Sequence, residues 1–133
     1  MNAVTPMMKD QEKLSPLASR YVEVDDLPWK PTGHKGIDMK ILLKDESTGL
    51  MTCLFRWAPG SELPMHRHIN IEQSYILSGS LEDDEGVCTT GNFVWRPKGS
   101  EHVARAPNGC LLVAMFLEPN IFLAGDMKGK KLE

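Results

Sequence analysis

The sequence lacks the long apolar runs and the basic stripes that mark membrane and nucleic-acid-binding proteins. Its longest apolar run, LLVAMFL at 111–117, is far too short to span a bilayer. The net charge of −3 offers no basic surface of the kind that binds nucleic acid. The first 16 residues contain no apolar stretch and no cleavage site, so we expect no secretory signal.

Cysteine is also scarce. The three cysteines, Cys53, Cys88 and Cys110, are scattered and form no CxxC pair. An odd number of scattered cysteines is typical of reduced thiols in a cytoplasmic protein, where they act as small buried hydrophobes. We therefore predict a cytoplasmic protein with no membrane or nucleic-acid partner.

What is present fits one domain. The chain has 133 residues, of which 41% are hydrophobic and 25% charged, so it can bury a core of its own. Polar segments broken by Pro6 and Pro16 open the chain, and GDMKGKKLE closes it. We predict an N-terminal tail over 1–20, a folded domain over 21–123 and a C-terminal tail over 124–133.

Hydrophobic periodicity between these segments is two, and convincing helical periodicity is absent. In IDMKILLK the residues Ile37, Met39 and Ile41 fall on one strand face. Turn signals follow at close spacing, as at Pro59-Gly60 and Pro107-Asn108-Gly109. Many short strands of this kind predict an all-β sandwich or barrel.

An acidic run at 82–85, Glu-Asp-Asp-Glu, lies in one of these predicted turns. Its spacing lacks the alternating ligands of a calcium loop. We interpret it as the solvated tip of a hairpin, which is the usual place of a charge run.

Three of the four histidines fall where a metal site would need them. His66 and His68 are two apart on a predicted strand, so both side chains face one way. Glu72 follows after a short segment where the chain can bend, and His102 opens a later strand. His34 lies in KPTGHKG, and we interpret it as a surface loop residue.

Two spaced motifs contain these residues. The first runs Gly60-x5-His66-x-His68-x3-Glu72-x6-Gly79, and the second runs Gly91-x5-Pro97-x-Gly99-x2-His102. Together they resemble the two motifs of the cupin superfamily. The resemblance implies a double-stranded β-helix, or jelly-roll, barrel. It also implies one divalent metal per chain, with His66, His68, Glu72 and His102 as ligands.

The resemblance extends over about 21–120 to the small ChrR-like cupins. That group includes a zinc-binding anti-sigma domain and single-domain dioxygenases of the acetylacetone and 2,4'-dihydroxyacetophenone types. It therefore implies either an Fe(II) dioxygenase that cleaves a C–C bond in a small diketone or hydroxyketone, or a stand-alone zinc sensor. A metal-dependent isomerase or hydrolase is a third alternative.

The donor set of nitrogen and oxygen does not choose the metal. Fe(II) is favoured by the dioxygenase hypothesis, and Zn(II), Ni(II), Mn(II) or copper have the same ligand preference. If Glu72 moves away from the ion, three histidines leave more open positions for a substrate and O2.

Substrate contacts are predicted from strand parity. If Glu72 points inward, Ser74, Ile76 and Ser78 do so too. Arg96 precedes the motif proline, where an inward guanidinium would steady an enolate oxygen, and Arg56 is a similar candidate.

Both faces of the entry strands are apolar, with Phe55 and Trp57 on one side and Leu42 and Leu54 on the other. Such strands are buried on both sides. This pattern predicts a homodimer, and the alternative is a monomer whose N-terminal segment crosses the sheet.

Overall fold

Alternation of apolar and polar residues produces strands over most of residues 30–122. The structure is a computed structural model that describes residues 3–132. Two short 3-10 helices, Gln11–Lys13 and Val24–Asp26, lie before the main strands. The strands are β1 (Ala3–Val4), β2 (Lys30–Pro31), β3 (Ile37–Asp45), β4 (Met51–Trp57), β5 (Ser61–Arg67), β6 (Glu72–Glu82), β7 (Val87–Thr89), β8 (Phe93–Arg96), β9 (Glu101–Ala106), β10 (Cys110–Phe116) and β11 (Ile121–Phe122).

Antiparallel pairing joins these strands into a curled sheet in the order β1-β3-β4-β10-β6-β9-β5-β11. The long strand β6 changes partners along its length. Its first part pairs with β10 and β8, and its last three residues pair with β7. The prediction of an all-β barrel is confirmed, and the candidate ligands lie on β5, β6 and β9 or, for His68, directly after β5.

Inward side chains of β4 and β10 fill the barrel. Phe55 lies opposite Leu112, and Cys53 lies opposite Ala114, so two large side chains face each other at one level and two small ones at the next. All four are at most 6% exposed. Phe116 joins them, with its ring 6.3 Å from that of Phe55 in an edge-to-face arrangement.

A bulge in β6 changes which residues face inward. Ile76 pairs with Leu112, but Ser78 pairs with Leu111, so one residue of β10 opposes two of β6. The prediction that Ser78 faces inward is therefore wrong, and Ser78 is exposed. Beyond the bulge the inward position passes to Leu81, which is 5% exposed.

The segment before β2 lies across the outer face of β3 and β4. The Thr5 hydroxyl donates to the carbonyl of Leu42 at 2.7 Å, and the Lys40 ammonium donates to the carbonyl of Val24 at 2.8 Å. Leu54 on the same face is 8% exposed. Burial of both faces, as predicted, thus arises within one chain here, as in the monomer alternative.

The two ends of the chain, predicted as tails, both contact the barrel. Residues of β1 pair with the end of β3. The backbone amide of Leu132 donates to the carbonyl of Asn120 at 3.0 Å, and its side chain, 4% exposed, packs into the core. The domain boundaries at 20/21 and 123/124 stay predictions. Over the described residues, no helix has the length and apolar character needed to cross a membrane.

Candidate metal centre

Strand register brings His66 and His102 together. β5 and β9 are antiparallel neighbours, and His66 pairs directly with His102. A register shift between Leu63 and His66 re-aims this end of β5. Two histidines 36 positions apart in the sequence thereby face each other inside the barrel.

His68 follows β5 and is fixed by its backbone. Its amide donates to the carbonyl of Ser100 at 2.9 Å, and its carbonyl accepts from the amide of Gly99 at 2.7 Å. Gly99 has a φ of +89°, which favours glycine in this turn. The turn of the second motif thus holds the second histidine of the first.

The three imidazole rings form one buried cluster. Ring centroids are 4.4 Å apart for His66 and His102, and 5.0 Å apart for His68 with either of the other two. One nitrogen from each ring lies within 4.8 Å of the others. His66 is 2% and His68 0% exposed.

Hydrogen bonds to the outer nitrogens set the orientation of two rings. His66 Nδ1 lies 2.8 Å from the carbonyl oxygen of Pro64, and His102 Nδ1 lies 2.8 Å from the carboxylate of Asp83. Both partners only accept, so each Nδ1 carries the proton and each Nε2 keeps a lone pair. Such bonds to the distal nitrogen are typical of histidines that bind metals.

Burial keeps the three imidazoles neutral. Desolvation lowers the pKa of His66 to about 3 and that of His68 to about 2. The pKa of His102 is also lowered, chiefly by burial, although Asp83 opposes the shift. Neutral imidazole is the form that binds a metal, so protons do not compete for these nitrogens near neutral pH.

A close contact between two of the imidazole rings indicates that the cluster fits a metal ion. The Nε2 atoms of His68 and His102 are 3.0 Å apart, a contact that needs a proton or a cation between them. The other nitrogen of His68 is buried and has no hydrogen-bond partner. Three neutral imidazole nitrogens are a donor set for Fe(II), Zn(II), Ni(II) or copper.

Glu72 lies next to this cluster without belonging to it. Its Oε2 is 3.8 Å from His68 Nδ1 and accepts from Asn120 Nδ2 at 3.2 Å. Its Oε1 accepts from the Ser74 hydroxyl at 3.4 Å. Burial raises the pKa of Glu72, and the charge of Arg96 together with these hydrogen bonds lowers it only partly.

Comparison with known proteins identifies the barrel. The family model of the ChrR cupin-like domain matches residues 17–119. The chain belongs to this family. A search of curated proteins found no match to the sequence.

Solved structures share the cupin fold. A candidate acetylacetone dioxygenase from Methylibium petroleiphilum is 21% identical with a TM-score of 0.76, covering 90% of each chain. Acetylacetone dioxygenase from Acinetobacter johnsonii is 19% identical with a TM-score of 0.75, covering 90% of this chain and 88% of that one. The anti-sigma factor ChrR of Rhodobacter sphaeroides, solved in complex with SigE, is 23% identical with a TM-score of 0.60, covering 70% of this chain and 50% of that one. These likenesses show the fold, and both an enzyme and a regulator carry it.

The cupin barrel places the predicted substrate contacts unequally. Ser74 is 2% exposed and faces the interior beside Glu72. Arg96 also faces inward, with a side chain 13% exposed and its Nε 4.0 Å from Glu72. Arg56 lies on the outer surface, half exposed, where it pairs with Asp38 at 3.1 Å. The structure does not bring Arg56 to the histidines.

Two polar residues near the histidines were missed by sequence reasoning. Asp83, in the acidic run interpreted as a solvated tip, has a side chain only 6% exposed and bonds His102 and Arg96. The only sequence signal for its inward position is that it lies two residues after the apolar Leu81, on the same strand face. Asn120, 2% exposed, lies beside Glu72. No sequence signal indicates Asn120.

His34, interpreted from the sequence as a surface loop residue, lies in a loop but is partly buried. Its ring lies 4.4 Å from that of Phe122, which in turn lies 5.9 Å from His66. Desolvation lowers its pKa, and its Nε2 is buried with no hydrogen-bond partner. The loop folds back on β11, so His34 packs behind the cluster and is not part of it.

Two spaces adjoin the cluster. A cavity of about 40 Å³ inside the barrel is lined by His66, Glu72, Arg96 and His102 together with Thr32, Asn120 and apolar side chains. A groove of about 360 Å³ runs along β7 and β8, and Arg96 and His102 line it as well. Arg96 and His102, together with Leu81, thus separate the cavity from the groove.

Proposed function

We propose that this cupin is an Fe(II)-dependent dioxygenase that cleaves a C–C bond in a small diketone or hydroxyketone. The observation that carries the proposal is the convergence of three neutral, buried imidazoles beside an apolar cavity. Bound Fe(II) would supply Lewis acidity and the redox chemistry with O2 that such a cleavage requires. We further propose that Glu72 is either a fourth ligand or a close neighbour of the ion.

The remaining side chains suit this chemistry. A raised pKa suits Glu72 to take a proton from an acidic C–H or O–H group of the substrate. Arg96, held at 4.0 Å from that carboxylate, presents a cation to an enolate or carboxylate oxygen in the cavity. Apolar walls that include Phe55, Trp57 and Phe116 exclude water from the centre.

Cavity size restricts the substrate. A space of about 40 Å³ holds a few water molecules at most. A diketone or hydroxyketone therefore enters only if the lining opens, and a small substrate is favoured. Leu132, from the C-terminal segment, is one of the lining residues that such opening would move.

Oxygen uptake tests the proposal. Metal-free protein is reloaded with Fe(II) under anaerobic conditions and then mixed with oxygenated buffer and a panel of acetylacetone, other β-diketones and dihydroxyacetophenones. Uptake that needs both iron and substrate is expected. His66→Ala should abolish it, and His34→Gln, which removes the one histidine outside the cluster, should retain it.

Failure of uptake across the whole panel by protein that carries one iron per chain would overturn the diketone and hydroxyketone assignment. Uptake that survives in His66→Ala would place the chemistry elsewhere in the molecule.

A second candidate function is a zinc-binding sensor. The small volume of the cavity, about 40 Å³, favours it, because a structural zinc site needs no room for a substrate. This reading predicts one tightly held zinc per chain after purification without added metal, and no uptake of O2 after iron loading. Metal content measured by mass spectrometry separates the two functions.

We also propose a cytoplasmic homodimer. The outer face of β6, β8 and β10 supports it, because large apolar side chains there are 36–56% exposed. They are Tyr75, Leu77, Phe93, Trp95 and Met115. Light scattering coupled to size exclusion should give twice the chain mass of 14.9 kDa, and a single-chain mass would refute the dimer.

A further inference from the structure

Each carboxylate oxygen of Asp83 accepts two hydrogen bonds, although Asp83 lies in a run of acidic residues at a hairpin turn. Its Oδ1 accepts from the backbone amides of Glu85 at 2.8 Å and Gly86 at 3.1 Å. Its Oδ2 accepts from His102 Nδ1 at 2.8 Å and from the Arg96 guanidinium at 3.1 Å. The turn fixes one oxygen, so the other is held in place to receive its two donors.

The neighbouring acids of the turn are in a different position. Asp84 has a side chain 92% exposed, and its carboxylate pairs at the surface with Arg105 at 3.1 Å. Asp83 is 6% exposed. A carboxylate loses much of its hydration on such burial and keeps its charge only if hydrogen bonds replace the water. The four bonds of Asp83 do this, and they leave it no role in solvation of the hairpin.

The effect on His102 is a choice of tautomer. In a neutral imidazole one nitrogen donates and the other accepts, and an ionised carboxylate accepts only. Asp83 therefore stabilises the Nδ1–H form, which leaves a lone pair on the Nε2 that faces His68. An amide at position 83 that keeps its oxygen on the turn amides of Glu85 and Gly86 would present its NH2 group to His102 and favour the reverse tautomer, with a proton on the nitrogen that faces the cluster.

We propose that Asp83 is a positioning residue of the metal centre, which holds His102 in the tautomer and orientation that bind the ion. The hairpin between β6 and β7 thereby becomes part of the site. Arg96 donates to the same oxygen of Asp83 as His102 does, and its positive charge helps to keep Asp83 ionised. The inference rests on the metal-binding part of the proposed function and is independent of its oxygen chemistry.

Metal affinity of Asp83→Asn tests this role. Co(II) serves as the probe, because its visible absorption reports coordination directly, and its dissociation constant is measured by competition with a chelator. The loss of an outer partner of a histidine ligand weakens affinity by on the order of 10–100-fold. We expect a loss of this size in Asp83→Asn, together with a changed Co(II) spectrum.

Asp84→Asn is the matched control, because it removes the same charge from the same turn at a side chain that is exposed. It should change the Co(II) affinity by less than about twofold at moderate salt. Equal weakening in the two variants, or wild-type affinity in Asp83→Asn, would overturn the positioning role while leaving the metal centre intact. Wild-type protein that binds no Co(II) would overturn the metal centre and this role with it.

A second measurement remains decisive if Asp83→Asn is unstable. Nitrogen-15 NMR of the metal-free wild-type protein reports which imidazole nitrogen of His102 carries the proton. We expect the proton on Nδ1. A proton on Nε2 would overturn the proposal without any variant.

Discussion

Acid should destabilise the metal-free protein through its buried histidines. In the folded chain the pKa of His66 is about 3 and that of His68 is about 2, because burial disfavours the imidazolium. In the unfolded chain both return to about 6.5. Between these values the unfolded state binds protons that the folded state does not, so the free energy of unfolding falls as the pH falls.

The size of the effect follows from the number of protons. Each such histidine gives a slope of about 1.4 kcal/mol per pH unit well below pH 6.5, with stability lost toward acid. From pH 7 to pH 5 this amounts to about 2 kcal/mol for His66 and as much again for His68. Glu72 acts in the opposite sense, because its pKa is raised in the folded state.

Comparison with His66→Gln isolates the contribution of His66 to the pH dependence of stability. The contribution of Glu72 is present in both proteins and cancels in the difference. Urea unfolding of both proteins is measured with a chelator present at several values between pH 7 and pH 5. The wild-type protein should lose about 2 kcal/mol more than the variant over this interval. If the two proteins differ in free energy of unfolding by the same amount at pH 7 and at pH 5, His66 titrates in the folded chain as it does in the unfolded chain. That result would refute its burial as a neutral imidazole.

Three further substitutions test the barrel around the site. A Cβ at Gly79, where φ is +75°, would lie 2.2 Å from the carbonyl oxygen of Gly109, so Gly79→Ala should cost roughly 3 kcal/mol or more in denaturant unfolding. Gly91→Ala, at a φ of +80° with open space around it, should cost only about 1–2 kcal/mol, and equal costs would argue against the close approach. Arg56→Gln should leave Co(II) affinity unchanged and shift unfolding by less than about 1 kcal/mol, since the pair with Asp38 is exposed; a large loss of affinity would return Arg56 to the site.

Local spacing placed His66 and His68 on one strand face, and the resemblance to the cupin motifs added His102 to them. His66 and His68 are two apart in an extended segment, and the Pro97 to Gly99 turn sets the start of β9. Both features are read from a few neighbouring residues. The direct pairing of His66 with His102 depends on strand register between distant segments, which the sequence alone does not give.

One bulge accounts for the error of parity at Ser78. Counting by twos from Glu72 puts Ser78 inside. The extra residue of β6 near Leu77 reverses this order, so Ser78 is exposed, while the side chain of Asp83, interpreted as part of a solvated charge run, is only 6% exposed. A bulge bends the strand and shifts the side chains that follow to the other face, and hydrophobic periodicity does not record it.

Contacts made by the chain ends were equally beyond the sequence. Leu132 is surrounded by polar and small residues in GKKLE, and nothing local distinguishes it from an exposed leucine. Its burial depends on the pairing of Ile121 with Lys131, which returns the chain to the barrel. The position of Glu72 beside His68 depends in the same way on Asn120, which is 48 residues away.

Metal stoichiometry tests the three-histidine centre most directly. Metal-free protein is titrated with Co(II), and the bound metal per chain is measured for the wild type and for single alanine variants of His66, His68 and His102. We predict one ion per chain in the wild type and a loss of tight binding in each of the three variants. Full occupancy in any one variant, or no binding in the wild type, would contradict the centre described here.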